Sequence, residues 1–253
     1  MQINIADFTN LKSLADIINK AYQEGYTQGL IDSSKKEEIT NERNNISYTQ
    51  ESGIGIKIGD IVKFGRYKQN SNKKEPIEWR VLAAENGKAL IISQYALNCK
   101  KYNKSYEDTS WEKCTLRKWL NNDFLNSAFN PTEQNLIQLS IVTADNNPEY
   151  STNQGNDTED KVFLLSVKEL EKYFKNDEDR KCTPTKLAIN NGAYMNDNGQ
   201  CWWWLRSLGV NSYEASSVMT NGSVDFVGND VDSDNDSVRP AMWVKTEGLA
   251  SIV

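Results

Sequence analysis

The sequence predicts an α+β fold, with short helices in the middle of the chain and antiparallel hairpins at both ends. Three observations carry this. Asn86-Gly87 and Asn221-Gly222 each lie between apolar runs, a strong hairpin signal because both turn residues tolerate positive φ. Helix start signals at Asn130, Ser166 and Thr183 cluster between those hairpins. Near the end, aromatic runs at residues 201–207 and 237–244 bracket a polar segment. In residues 207–237, 19 of 31 positions are Asn, Asp, Ser or Gly, the composition of displayed turns rather than of a core.

Taken in order, Leu11, Leu14, Ile18, Ala21 and Tyr22 recur at helical spacing, predicting an amphipathic N-terminal helix over residues 8–30, weakened by Gly25 and Gly29. Residues 33–52 are polar and charged and read as a linker, so residues 1–55 stand apart from a main domain at 56–253. Two roles stay open for the helix: a cap packed on the domain, or a homo-oligomerisation device.

Ile61-Val62-Lys63-Phe64, residues 77–83 and residues 88–93 read as strands. Leu116, Trp119, Leu120 and Phe124 give one helical face. Asn130-Pro131-Thr132-Glu133 combines an N-cap, a first-turn proline and a capping glutamate, and Ser166-Val167-Lys168-Glu169 repeats the capping box. Thr183-Pro184 is expected to open a further helix that stops at Gly192. Lys161-Val162-Phe163-Leu164-Leu165 reads as a buried strand. Strands are expected at 201–206, 215–220, 223–227 and 238–244, with Pro240 marking an edge or a bulge in the last.

Composition narrows the function. The net charge of −6 disfavours a non-specific nucleic-acid binder, which would present a basic face. No run of about 18 apolar residues occurs, so no membrane span is expected. Residues 1–7 lack the basic and apolar regions of a secretory signal, which makes the cytoplasm the default location, with surface or phage-particle display the other possibility. With no histidine, His-dependent nucleophile pairs and imidazole metal ligands are excluded, which shifts the expectation from catalyst to binding protein. Cys99, Cys114, Cys182 and Cys201 form no C-x-x-C pair and are expected to be buried reduced thiols. Neither G-x-G-x-x-G nor a P-loop occurs, and no cofactor is expected.

Candidate contacts lie in the last third. Side chains alternate along a strand, so if Trp203 faces the core, Trp202 and Trp204 face the other side, against helices or a ligand. Arg206 and Arg239 end aromatic strands, where an arginine either clamps an anion or orders loops. Asp230, Asp232, Asp234 and Asp236 alternate, but an EF-hand would need Gly where Asn235 stands and Glu where Ala241 stands, leaving a solvated acidic loop as the simpler reading.

Trp203-Trp204-Leu205-Arg206-Ser207 and Val238-Arg239-Pro240-Ala241-Met242-Trp243 resemble the marks of an uncharacterised bacterial domain family. So do Trp111-Glu112-Lys113-Cys114-Thr115-Leu116-Arg117-Lys118-Trp119-Leu120-Asn121 and Gly199-Gln200-Cys201-Trp202. Leu208 departs from the proline usual in that family. The resemblance covers residues 56–245 and implies a C-type-lectin-like domain of the formylglycine-generating-enzyme type. The oxidase activity of those enzymes is not carried over, because no motif around Cys182 or Cys201 matches. The same fold serves retroelement-diversified target-binding proteins, whose variable positions lie near the C-terminus.

The resulting expectation is a non-enzymatic module that binds a protein or glycan. Its displayed set is Asn211, Tyr213, Glu214, Ser216, Asn221, Asp225, Asn229, Asp230, Asp232, Asp234 and Asn235, with Trp202, Trp204 and Arg206 completing the ligand site. The rivals are a formylglycine-generating-type oxidase and an assembly protein built through residues 8–30.

Overall fold

A computed structural model describes residues 55–251, all within one unit, Gly55–Val253. The expected N-terminal helix at residues 8–30, and any oligomerisation through it, lie outside the described residues.

The fold is α+β and sheet-rich. The first sheet holds β1 (Ile61–Lys68), β2 (Lys74–Glu85), β3 (Lys88–Ser93), β11 (Ala241–Lys245) and β12 (Ala250–Ser251) in the antiparallel order β11-β3-β2-β1-β12. The second holds β4 (Asn98–Cys99), β7 (Trp203–Leu208), β8 (Glu214–Val218), β9 (Val224–Asp230) and β10 (Ser237–Val238) in the order β4-β10-β7-β8-β9. Its pairings are antiparallel except β10 beside β7, which is parallel. β5 (Ser140–Val142) and β6 (Thr158–Asp160) pair separately.

Both Asn-Gly turns form hairpins. Asn86 and Gly87 take φ of 48° and 72° between paired Glu85 and Lys88, a two-residue turn of the kind that follows strand twist. At the second, Met219 pairs with Ser223 and only Gly222 takes positive φ, so the loop is one residue longer.

The helices are short. α1 (Thr115–Trp119) continues through a π-helical turn (Leu120–Phe124) into α2 (Leu125–Ala128). α3 (Pro131–Leu136) and α4 (Val167–Tyr173) both carry the expected reciprocal capping boxes, from Asn130 with Glu133 and from Ser166 with Glu169. α5 (Asp177–Arg180) and α6 (Lys186–Asn190) follow.

Four expectations are corrected. α6 is capped by Thr185, not Thr183, because the Thr183 carbonyl accepts from Ala96 N–H and stays extended. Residues 161–165 are buried around their apolar side chains but form no strand beyond a bridge from Phe163 to Ala241. Their backbone is satisfied by side chains instead. Asn121 accepts from Lys161 and Val162 N–H and donates to the Val162 carbonyl, and Arg206 takes the Leu164 carbonyl.

Residues 238–244 are not one strand. Without an N–H, Pro240 ends the ladder, and the chain passes there from β10 in the second sheet to β11 in the first. Finally, Trp203 and Trp204 are both fully buried, so both faces of β7 are covered.

Candidate functional site

β7 and β10 form the base of the site. Trp203 Nε1–H donates to the Arg180 carbonyl, with the Arg239 guanidinium 5.0 Å from its ring. On the other face, Trp204 meets Tyr102 edge-on at 5.8 Å and donates to the Lys100 carbonyl. Ser237 lies beside Trp203 and its N–H reaches the Trp202 carbonyl, so the start and end of the polar segment are held together.

Above this base, two aromatic pairs flank the loop that follows β9. Tyr106 and Tyr213 meet at 5.1 Å and 56°, with Tyr106 55% exposed. Backbone bonds from Thr109 to Ser212, Asn103 to Val231 and Val231 to Tyr213 bring these segments together. Across β8 and β9, Glu214 stands opposite Asp230, two carboxylates side by side. Desolvation first, then Asp230, Tyr213, Glu214 and Asp232 in turn, raise the Tyr106 hydroxyl above its ordinary value. Asn211 donates to Glu214, and Ser212 to Asp108.

The second pair is Tyr194 and Trp202, stacked at 4.2 Å and 24°. Tyr194 N–H donates to the Asn235 carbonyl, which places this pair at the other end of the same loop.

The loop is fastened from beneath by Asp236, a buried carboxylate. Asn229 Nδ2 and Ser233 Oγ donate to its Oδ2 at 3.0 and 3.1 Å. Burial pushes its pKa up to about 7; the two hydrogen bonds oppose the rise and nearby Asp225 adds to it. Asp225 itself accepts from Gly228 N–H at the bulge of β9.

Asp232 reaches Lys101 at 3.9 Å. Beside it opens a cleft of about 430 Å³, bordered by Asp234, three lysines and Trp119.

The expected residues therefore separate. Asn211, Tyr213, Glu214, Asp230, Asp232, Asp234 and Asn235 line one surface, with half-buried Trp202 at its edge. Asp225 and Asn229 support it. Asn221 lies at the opposite end of the β8–β9 hairpin, where Gly222 packs on the Asp177 carbonyl. Three of the expected residues, Trp204, Ser216 and Arg206, are instead buried and engaged within the protein. Trp204 is fully covered. Ser216 donates to the Leu208 carbonyl and accepts from Asn147. The guanidinium of Arg206 serves the Thr143 and Leu164 carbonyls and the carboxylates of Asp145 and Glu169.

Sequence reasoning missed Tyr106, Tyr194 and the lysine cleft. Lys100, Lys101, Lys104 and Tyr106 stand close together in the chain, but no local pattern joins them to Tyr194 or to the acidic loop.

All four cysteines are buried free thiols. Cys182 and Cys201 are neighbours, with Cys201 N–H donating to the Cys182 carbonyl at 2.8 Å. Burial works against ionising Cys182, while neighbouring Cys201 and the Arg239 charge favour its thiolate. Among the described residues, no group of three or more Cys, Asp or Glu is arranged to hold a metal ion, and no helix is long and apolar enough to cross a membrane.

Comparison with curated proteins and with solved structures finds no match. A family described as Domain of unknown function (DUF6273) matches residues 86–246, which includes both aromatic pairs, the lysine cleft and the acidic loop; the chain belongs to that family.

Proposed function

We propose that the chain is a non-enzymatic recognition module of C-type-lectin-like architecture, binding a protein or glycan through the surface around residues 229–236. The observation that carries this reading is the placement of two partly exposed aromatic pairs, Tyr106–Tyr213 and Tyr194–Trp202, at either end of a loop whose base is fixed by Asp236. Aromatic rings give large contact area at low entropic cost, and neighbouring Asp and Asn supply hydrogen bonds. Screening the protein against glycan and protein arrays, alongside a Tyr106→Ala/Tyr213→Ala variant, tests the reading. Binding that survives the double substitution in full removes it.

Diversification by a retroelement belongs to the same proposal. It requires sibling sequences to vary at the surface positions Asn211, Tyr213, Glu214, Asp230, Asp232 and Asp234 while buried Ser216 and Asp236 stay fixed. Uniform sequences across siblings would leave a module with a fixed ligand.

The oxidase-like alternative would draw on Cys182 and Cys201, which the bond from Cys201 N–H to the Cys182 carbonyl makes neighbours. Their exposures of 2% and 0% weigh against it, because a substrate would have no access to either sulfur without opening the core. Substrate turnover lost specifically in Cys182→Ser would reverse this ranking.

A further inference from the structure

The lysine-lined cleft is built differently from the acidic surface beside it. Its volume of about 430 Å³ falls in the range of small-molecule sites. Lys100, Lys101 and Lys104 converge on it, against the single carboxylate of Asp234 in its lining, within a chain of net charge −6. Lys101 is held near Asp232, whereas neither Lys100 nor Lys104 has a carboxylate within ion-pair distance among the described residues. Both lysines border the cavity without a carboxylate partner, Lys100 lying instead against the Trp119 ring.

The walls are fixed before any ligand arrives. The backbone of Lys100 is held on both sides, its N–H by the Asp236 carbonyl at 3.4 Å and its carbonyl by Trp204 Nε1–H at 2.9 Å. Cys99 Sγ donates to the Asp234 carbonyl at 3.1 Å. Asn191 Nδ2 donates to Asn98 at 2.8 Å. Trp119 packs on Phe124 at 5.5 Å, and Lys100 Nζ lies 4.8 Å from its ring centroid. Cation and indole thus form one wall, with the Thr115 hydroxyl and Asn191 amide also bordering the cleft.

We infer that this cleft takes an anionic saccharide, a sugar carrying a carboxylate or a sulfate. The ammonium groups of Lys100 and Lys104 meet the anion, the indole of Trp119 covers the apolar side of the sugar ring, and Thr115 and Asn191 meet its hydroxyl groups. This rests on the recognition-module reading and names the ligand class for one part of its surface. Asp232 connects the cleft to the acidic loop through Lys101, so a longer glycan would extend from the cleft towards Tyr106 and Tyr213.

Calorimetry on the full chain with three disaccharides tests the inference. The probes are one carrying a uronic acid, one carrying both a uronic acid and a sulfate ester, and one neutral. One or both anionic probes are expected to bind, more weakly as salt is raised, and the neutral one to fail. Comparing the two anionic probes tells carboxylate from sulfate recognition. Lys100→Gln/Lys104→Gln is expected to weaken binding by about tenfold or more, as loss of charge-assisted bonds implies. Asp234→Asn, which removes the opposing charge, is expected to tighten it and guards against misreading a folding defect. No binding by either anionic probe, equal binding of the neutral one, or indifference to both substitutions overturns the inference. Failure of both anionic disaccharides while array binding is retained and is lost in Tyr106→Ala/Tyr213→Ala removes the cleft alone, so failure of the cleft and failure of the wider surface are read separately.

Discussion

Arg206 and Ser166 share one acceptor, the Oε2 atom of Glu169. The same oxygen closes the capping box of α4 by accepting from Ser166 N–H at 3.0 Å and receives the guanidinium of Arg206 from β7. A helix start and a central strand are therefore joined through a single carboxylate. Removing Arg206 would strip partners from Glu169, Asp145 and two carbonyls at once. Arg206→Leu is expected to destabilise the domain by about 3–5 kcal/mol, the range for breaking one side of a buried ion pair, read as a lowered denaturant midpoint. A loss under about 1 kcal/mol would show that the network contributes little.

Asp236 makes stability depend on pH. Its folded pKa, about 7, stands above the ordinary value of 3.8. Between those values the native state keeps a proton that the unfolded chain has released, so this group's contribution is full below about pH 4 and is lost as pH rises towards 7. The rise from 3.8 to about 7 corresponds to roughly 4 kcal/mol at most. Asp236→Asn should flatten that slope in denaturant melts across the window. An unchanged slope would assign the pH dependence elsewhere.

Two glycine substitutions separate backbone preference from steric fit. Gly87 has φ of 72° with open space around it, so Gly87→Ala should cost about 1 kcal/mol through conformation alone. Gly222 has φ of 89° and packs against the Asp177 backbone, so Gly222→Ala must also displace the hairpin from α5. It is expected to lower the melting temperature further than Gly87→Ala; equal shifts would mean that this packing yields without cost.

Cys182 and Cys201, neighbours through a backbone hydrogen bond, are expected to cross-link on oxidation. With a small-molecule disulfide as oxidant, the two thiols would close to one disulfide as two oxidant thiols are released. Titration of thiols in denaturant is then expected to find two remaining of the four in the chain, with peptide mapping joining Cys182 to Cys201. Four thiols after oxidation would show that burial protects the pair.

Local signals carried most of the fold into the sequence. The capping boxes at Asn130 and Ser166 and the turn at Asn86-Gly87 are decided within four residues, and all three form. Residues 161–165 were legible as buried but not in conformation, because their backbone partner, Asn121, lies far upstream. Alternation along β7 separated Trp203 from Trp204 correctly but could not tell that both faces are covered. The acidic loop was legible from composition. Tyr106, Tyr194 and the lysines entered the site only through tertiary contacts between distant segments.

The parallel contact of Ser237 with Trp203 has a consequence for how this protein can change. Everything between those strands begins and ends at a junction fixed by the core, so closure of the segment does not rest on its exposed side chains. Substitutions at its surface positions leave unchanged the requirements for reaching the native state, so its sequence can drift there without loss of the scaffold.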